Sequence, residues 1–115
     1  MTHPELVTKL KKNGKHILTS LDEVQCDLLH MTMGICGEAG ELLDAIKKHT
    51  MYEQPLDFKN VVEELGDLEF YMEGLRQTLG LSREETLKAN IEKLLFRYQK
   101  EKFTNEEAKE RKDKN

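Results

Sequence analysis

The chain has 115 residues, enough for one domain with a single modest core. Its 18 Lys and Arg against 22 Asp and Glu leave a net charge of −4, which argues against a binder of nucleic-acid polymers, since such proteins carry a basic excess. No apolar run approaches the roughly 18–20 residues that span a bilayer, and the N-terminal MTHPELVTKLKK lacks the apolar stretch of a secretory leader, so a cytoplasmic protein that does not enter membranes is expected.

Punctuation along the chain predicts an all-α fold. Only Pro4 and Pro55 occur, leaving two long stretches free of helix breakers. Ser20…Glu23, Ser82…Glu85 and Thr104…Glu107 have capping-box spacing and predict helix starts. Gly14 after Asn13, and Gly80 before Leu81, read as helix stops. The predicted elements are a short helix over about 4–13, two long helices over about 21–50 and 56–79, a medium helix over about 83–99, and a short polar C-terminal helix. The whole chain, 1–115, is expected to be a single domain with its core in 20–100 and a tail, 105–115, too polar to pack and expected to fray.

In the first long segment, Val24, Leu28, Met31, Ile35, Leu42 and Ile46 form one apolar stripe. A second stripe, Leu29, Met33, Cys36, Gly40 and Leu43, lies roughly 130° round the helix at 100° per residue. A helix apolar on two sides is covered on two sides, which predicts a central helix packed on a second subunit as well as on its own chain. The second long segment carries Val61, Leu65, Leu68, Met72, Leu75 and Leu79 at the 4–3 spacing of bundle packing. Phe70, preceded by Val62 and Gly66, falls on its far side and reads as part of a subunit interface. A short connection around 52–56 makes the two long helices antiparallel neighbours. The expected architecture is a bundle of four to five helices with two long central antiparallel ones, completed by oligomerisation.

Cys26 and Cys36 stand ten positions apart on one predicted helix. The rise alone separates them by about 15 Å, beyond the roughly 4.4–6.8 Å between the Cα atoms of a disulfide. They read as reduced core or interface residues.

Two paired-acid motifs carry the chemistry. Glu38-Ala-Gly-Glu41 sets two carboxylates one turn apart on one helix face, and Glu64-Leu-Gly-Asp67 does the same on the next helix. In a chain with 35% charged residues such spacings also arise on solvated faces. Glu38 differs, because it interrupts an apolar stripe. Carboxylates crowded at the edge of an apolar seam are destabilising unless a cation neutralises them. All-oxygen ligation suits Mg²⁺ or Mn²⁺ and not structural Zn²⁺. Gly34, Gly37, Gly40 and Gly66 near the acids each cost about 1 kcal/mol in a helix interior, which suggests close approach of a backbone or a ligand.

Further along, Asn90, Lys93 and Arg97 lie within about 60° of one another on the predicted medium helix, beside the apolar Leu87, Ile91, Leu94 and Tyr98. Lys and Arg one turn apart suit phosphate oxygens, although a solvated face looks the same. His30, two turns before Glu38, is placed to reach a ligand or to act as a hydrogen-bonded rim residue.

GICGEAGELLDAIKK, followed by NVVEELGDLEFYM, resembles the MazG-like all-α nucleoside triphosphate pyrophosphohydrolases. Their signature is ExxE, a spacer and ExxD, here with 22 residues between Glu41 and Glu64. ANIEKLLFRYQKEKFTNEEA resembles the end of compact, often phage-type members, and QKEK stands where relatives commonly have a Pro-containing turn. The resemblance spans roughly 20–108. It implies a four- or five-helix fold that forms homodimers, or homotetramers as dimers of dimers. It implies Mg²⁺-dependent hydrolysis of a (deoxy)nucleoside triphosphate to monophosphate and pyrophosphate, for nucleotide-pool control or house-cleaning. Glu38, Glu41, Glu64 and Asp67 become metal ligands, and Glu41 the candidate general base. Lys93, Arg97 and Asn90 become triphosphate contacts, while the roles of Asp44 and Glu63 stay open. The alternative is a non-catalytic helical module that binds nucleotide or protein. A di-iron bundle would want Glu-x-x-His pairs, and no His follows a motif acid at that spacing.

Overall fold

The structure, a computed structural model, describes residues 1–113, with side chains through residue 110. Five helices follow one another: α1 His3–Leu10, α2 Gly14–Ser20, α3 Glu23–Met51, α4 Phe58–Leu79 and α5 Arg83–Asp113. Among the described residues there is no strand, so the fold is all-α as expected. No described helix is long and apolar enough to cross a membrane. The chain divides into two compact units, Met1–Thr78 and Leu79–Asn115.

In the first unit, α1 starts where Thr2 and Glu5 close a reciprocal capping box, with Pro4 in the first turn. Asn13-Gly14 does not stop a helix. It starts one, because the Asn13 side chain accepts the Lys15 N–H at 2.8 Å and caps α2. The predicted helix over 4–13 therefore gives way to two short helices. The capping box of α3 is likewise shifted by two residues. Asp22 and Gln25 exchange hydrogen bonds of 2.8 Å, while the Ser20 hydroxyl donates backwards to the Ile17 carbonyl. Asp accepts through a charged oxygen and outcompetes the serine as a cap.

The end of α3 is built by Glu53, which takes φ 56°. The Gln54 N–H donates to the Lys48 carbonyl at 3.2 Å, and His49 Nδ1 hydrogen-bonds the Gln54 carbonyl at 2.7 Å. Asp57 then accepts the Asn60 N–H at the start of α4. Two contacts in reverse chain order, Gly34 with Tyr71 and Met31 with Gly74, make α3 and α4 antiparallel neighbours. A methyl group on Gly34 would enter the Tyr71 ring, and one on Gly74 would enter the Met31 thioether. These two glycines let the helices approach closely.

Burial is shallow. Ala45 is the one buried residue among those described. Leu28, Met31, Ile35 and Leu42 of the first stripe are half-buried, as are Leu68, Met72 and Leu75 of the α4 seam. Leu65 and Leu79 of that seam are exposed, and so are Leu29, Met33, Cys36 and Leu43 of the second stripe on α3. Arg76 lies against α4 itself, its guanidinium donating to Glu73 through Nε at 3.0 Å and Nη2 at 2.8 Å.

In the second unit, Gly80 at φ 68° follows α4, and Ser82 and Glu85 form the expected capping box of α5. The helix does not break after residue 99. It runs unbroken for 31 residues, because no Pro or Gly occurs between 83 and 113. The Thr104 hydroxyl donates to the Lys100 carbonyl one turn back at 2.9 Å and caps nothing. The segment expected to fray is helical as far as Asp113, and residues 114–115 lie outside the described residues.

Candidate functional site

Glu38 and Glu41 project from α3 one turn apart, and Glu64 comes across from α4. One carboxylate oxygen from each lies within 4.8 Å of the others. Glu38 and Glu64 are half-buried and Glu41 is exposed. Asp67, one turn after Glu64, lies outside this trio at that spacing, yet its charge still reaches Glu38.

The electrostatics follow from the crowding. The Glu38 carboxyl is pushed up to about 7, first by the facing Glu64 carboxyl, to which only a protonated Glu38 could donate, then by burial, and then by Glu41 and the Asp67 charge. Oε2 of Glu38 and Oε2 of Glu64 are both buried without a hydrogen-bond partner. As carboxylates, neither can donate to the other. Either a shared proton or a cation completes them. The donor set is oxygen only, with no thiolate or imidazole in the trio. A hard divalent ion such as Mg²⁺ or Mn²⁺ fits it, and structural Zn²⁺ does not.

The remaining candidates are less gathered. His30 is exposed and stands outside the trio. Its ring meets the Tyr71 ring edge-on, with centroids 6.5 Å apart and planes at 64°. Asp44 pairs with Lys48 at 3.1 Å on the same exposed face of α3. Asn90, Lys93 and Arg97 are exposed on α5, at register positions that share one helix face. Sequence reasoning missed Tyr71, which packs on Gly34, meets His30, and stands edge-on to Phe70 at 5.1 Å. The sequence shows only that it falls one turn after Asp67; the glycine it faces on α3 is a product of the fold.

The family profile described as the MazG nucleotide pyrophosphohydrolase domain matches residues 27–101. That stretch contains both paired-acid motifs, His30, Tyr71 and the Asn90, Lys93 and Arg97 face. No curated protein and no solved structure matches the chain.

Proposed function

The chain belongs to the MazG nucleotide pyrophosphohydrolase family, and we propose that it hydrolyses a (deoxy)nucleoside triphosphate to the monophosphate and pyrophosphate with Mg²⁺, or Mn²⁺ in its place. The observation that carries this reading is the pair of buried, unpartnered oxygens of Glu38 and Glu64, set beside Glu41 within 4.8 Å. Glu38, Glu41, Glu64 and Asp67 would hold the metal, which supplies charge neutralisation for the phosphates and an acidified water.

The residues divide the work by exposure. Glu38 and Glu64, half-buried, hold the inner positions. Glu41, exposed at the edge of the trio, accepts the proton of the attacking water as general base. Lys93 and Arg97 bind phosphate oxygens, Lys as a point charge and Arg through its fork, with Asn90 as a further donor. The role is control or cleansing of the nucleotide pool. The working form is a homodimer or homotetramer, supported by the exposed Leu29, Met33 and Leu43 along α3.

The test is pyrophosphate release from a panel of natural and modified NTPs and dNTPs, with Mg²⁺ and Mn²⁺ varied. Turnover of at least one substrate is expected, and it is lost in folded Glu38→Ala and Asp67→Ala proteins. Tight nucleotide binding without turnover of any substrate would replace the enzyme with a nucleotide-binding module.

A further inference from the structure

Every residue from Met1 to Ser20 is exposed, although both helices of this stretch carry N-caps. Their apolar residues are not scattered. On α1, Leu6, Leu10 and Val7 fall within an arc of about 100°, and on α2 Ile17 and Leu18 are neighbours. Leu10 is 72% exposed and Leu18 70%. Lysines border the arc of α1 on both sides. By helical register Lys9 lies about 60° before Leu6, and Lys11 about 40° after Val7. Lys12 follows in the linker and Lys15 in the first turn of α2. None of the four makes an ion pair among the described residues. The one acid of the stretch, Glu5, stands on the far side of α1 and accepts from the Thr2 N–H. Charge is divided unevenly along the chain. Residues 1–20 hold four Lys and one acid, and the remaining residues hold 14 Lys and Arg against 21 Asp and Glu.

We propose that α1 and α2 form a docking surface for an anionic phospholipid bilayer, with Leu6, Leu10 and Leu18 at the acyl boundary and the lysines on headgroup phosphates. Charge complementarity selects this occupant. An anionic surface attracts residues 1–20 and repels the rest of the chain, so the protein binds in one orientation. Lysines on both edges of a narrow apolar arc suit a flat interface. Their stems lie along apolar surface while their ammonium groups rise to the phosphates. A groove on a protein would need acids on both walls to match them. A nucleic-acid strand would use the lysines but give Leu10 and Leu18 nothing apolar to enter. Neither helix is long enough to span a bilayer, so the contact is with its surface. It uses no residue of the acid trio, and it stands or falls independently of the pyrophosphohydrolase reading.

The experiment is co-sedimentation of the full chain with phosphatidylcholine vesicles, with and without phosphatidylserine. Binding is expected only when phosphatidylserine is present. It should be lost as salt rises from about 0.1 M to 1 M and the screening length shrinks from about 10 Å to 3 Å. Lys11→Ala, Lys12→Ala and Lys15→Ala together should lower the affinity about a hundredfold, at about fivefold per lysine. Leu10→Ser should lower it about tenfold. Without vesicles, the circular dichroism and pyrophosphate release of these variants should match the unaltered protein. In Leu10→Trp, within a chain that has no other Trp, emission should shift to the blue on anionic vesicles. Equal binding to neutral vesicles, binding to neither, or Trp emission unmoved while the protein binds would each overturn the proposal. Binding indifferent to Leu10→Ser, or matched by single-stranded oligothymidylate, would mark a general polyanion site and overturn the lipid assignment.

Discussion

Glu38 and Glu64, on adjacent antiparallel helices, each bury an Oε2 atom that hydrogen-bonds to nothing. The two groups cannot satisfy one another while ionised, so a proton or a cation between them relieves the pair. Occupancy of the site is thereby linked to folding.

Metal should therefore act as a folding ligand. Mg²⁺ or Mn²⁺ at a hundredfold excess over its Kd is expected to stabilise the protein by about 2.7 kcal/mol, read as a rise in Tm that EDTA reverses. Glu38→Gln and Glu64→Gln should abolish that rise and lower turnover about a hundredfold or more. An unchanged Tm on metal addition would remove the acids from the metal site.

The metal-free protein should have a distinctive pH profile. Glu38 titrates near 7 in the folded chain against an ordinary value of 4.5. Between those values the folded state holds a proton that the unfolded state has released, so stability falls as pH rises through this window. Melting in EDTA from pH 4.5 to 8 should show the decline, Glu38→Gln should flatten it, and Mg²⁺ should offset it at the alkaline end. A metal-free profile flat across that range in the unaltered protein would contradict the carboxylate crowding.

Gly34 and Tyr71 test the packing of α3 on α4. Gly34→Ala drives a methyl group into the Tyr71 ring and should destabilise by about 1–3 kcal/mol, as overpacking does. Gly34→Ala combined with Tyr71→Leu should recover much of that loss, a non-additivity read from denaturant melts. Simple addition of the two losses would mean the residues do not touch.

At the end of α3, Glu53 occupies the left-handed region at φ 56°, where a side chain is strained. Glu53→Gly should raise stability by about 0.5–1 kcal/mol, measured by urea melts, with turnover unchanged. A loss of stability would show that the Glu53 side chain contributes more than its backbone strain costs.

Leu43 is 67% exposed on the second stripe of α3. Leu43→Glu should lower the molar mass measured by light scattering to that of the monomer and make the protein melt earlier on dilution. Retention of the full assembly would move the subunit contact elsewhere.

Much of this arrangement was legible in the residues. The heptad-like seam of α4 and the interrupted stripe of α3 gave an antiparallel helix pair because periodicity reports which face is turned inward. Glu38 stood out because a carboxylate replaced an apolar residue in that rhythm, and the structure gathers it with Glu41 and Glu64. Helix ends were harder. Ser20 and Asp22 compete for one cap, and the winner depends on two residues of register that propensity does not resolve. Asn13-Gly14 reads equally well as an end or a beginning. Tyr71 was missed because its importance lies in a glycine 37 positions away, a relation between two helices that no single periodic pattern contains.

Because α3 runs without a break from Glu23 to Met51, its acids, its ring-facing histidine and its exposed Leu stripe are locked in phase on one rod. One residue inserted between Gly34 and Glu38 would turn His30 by about 100° relative to Glu41, while leaving every residue present. Seven inserted residues would bring the two back to within about 20° of their original alignment, but about 10 Å further apart. Length variation in this segment is therefore constrained by angle and by distance together, and changes in chain length are better tolerated in the connection between α3 and α4.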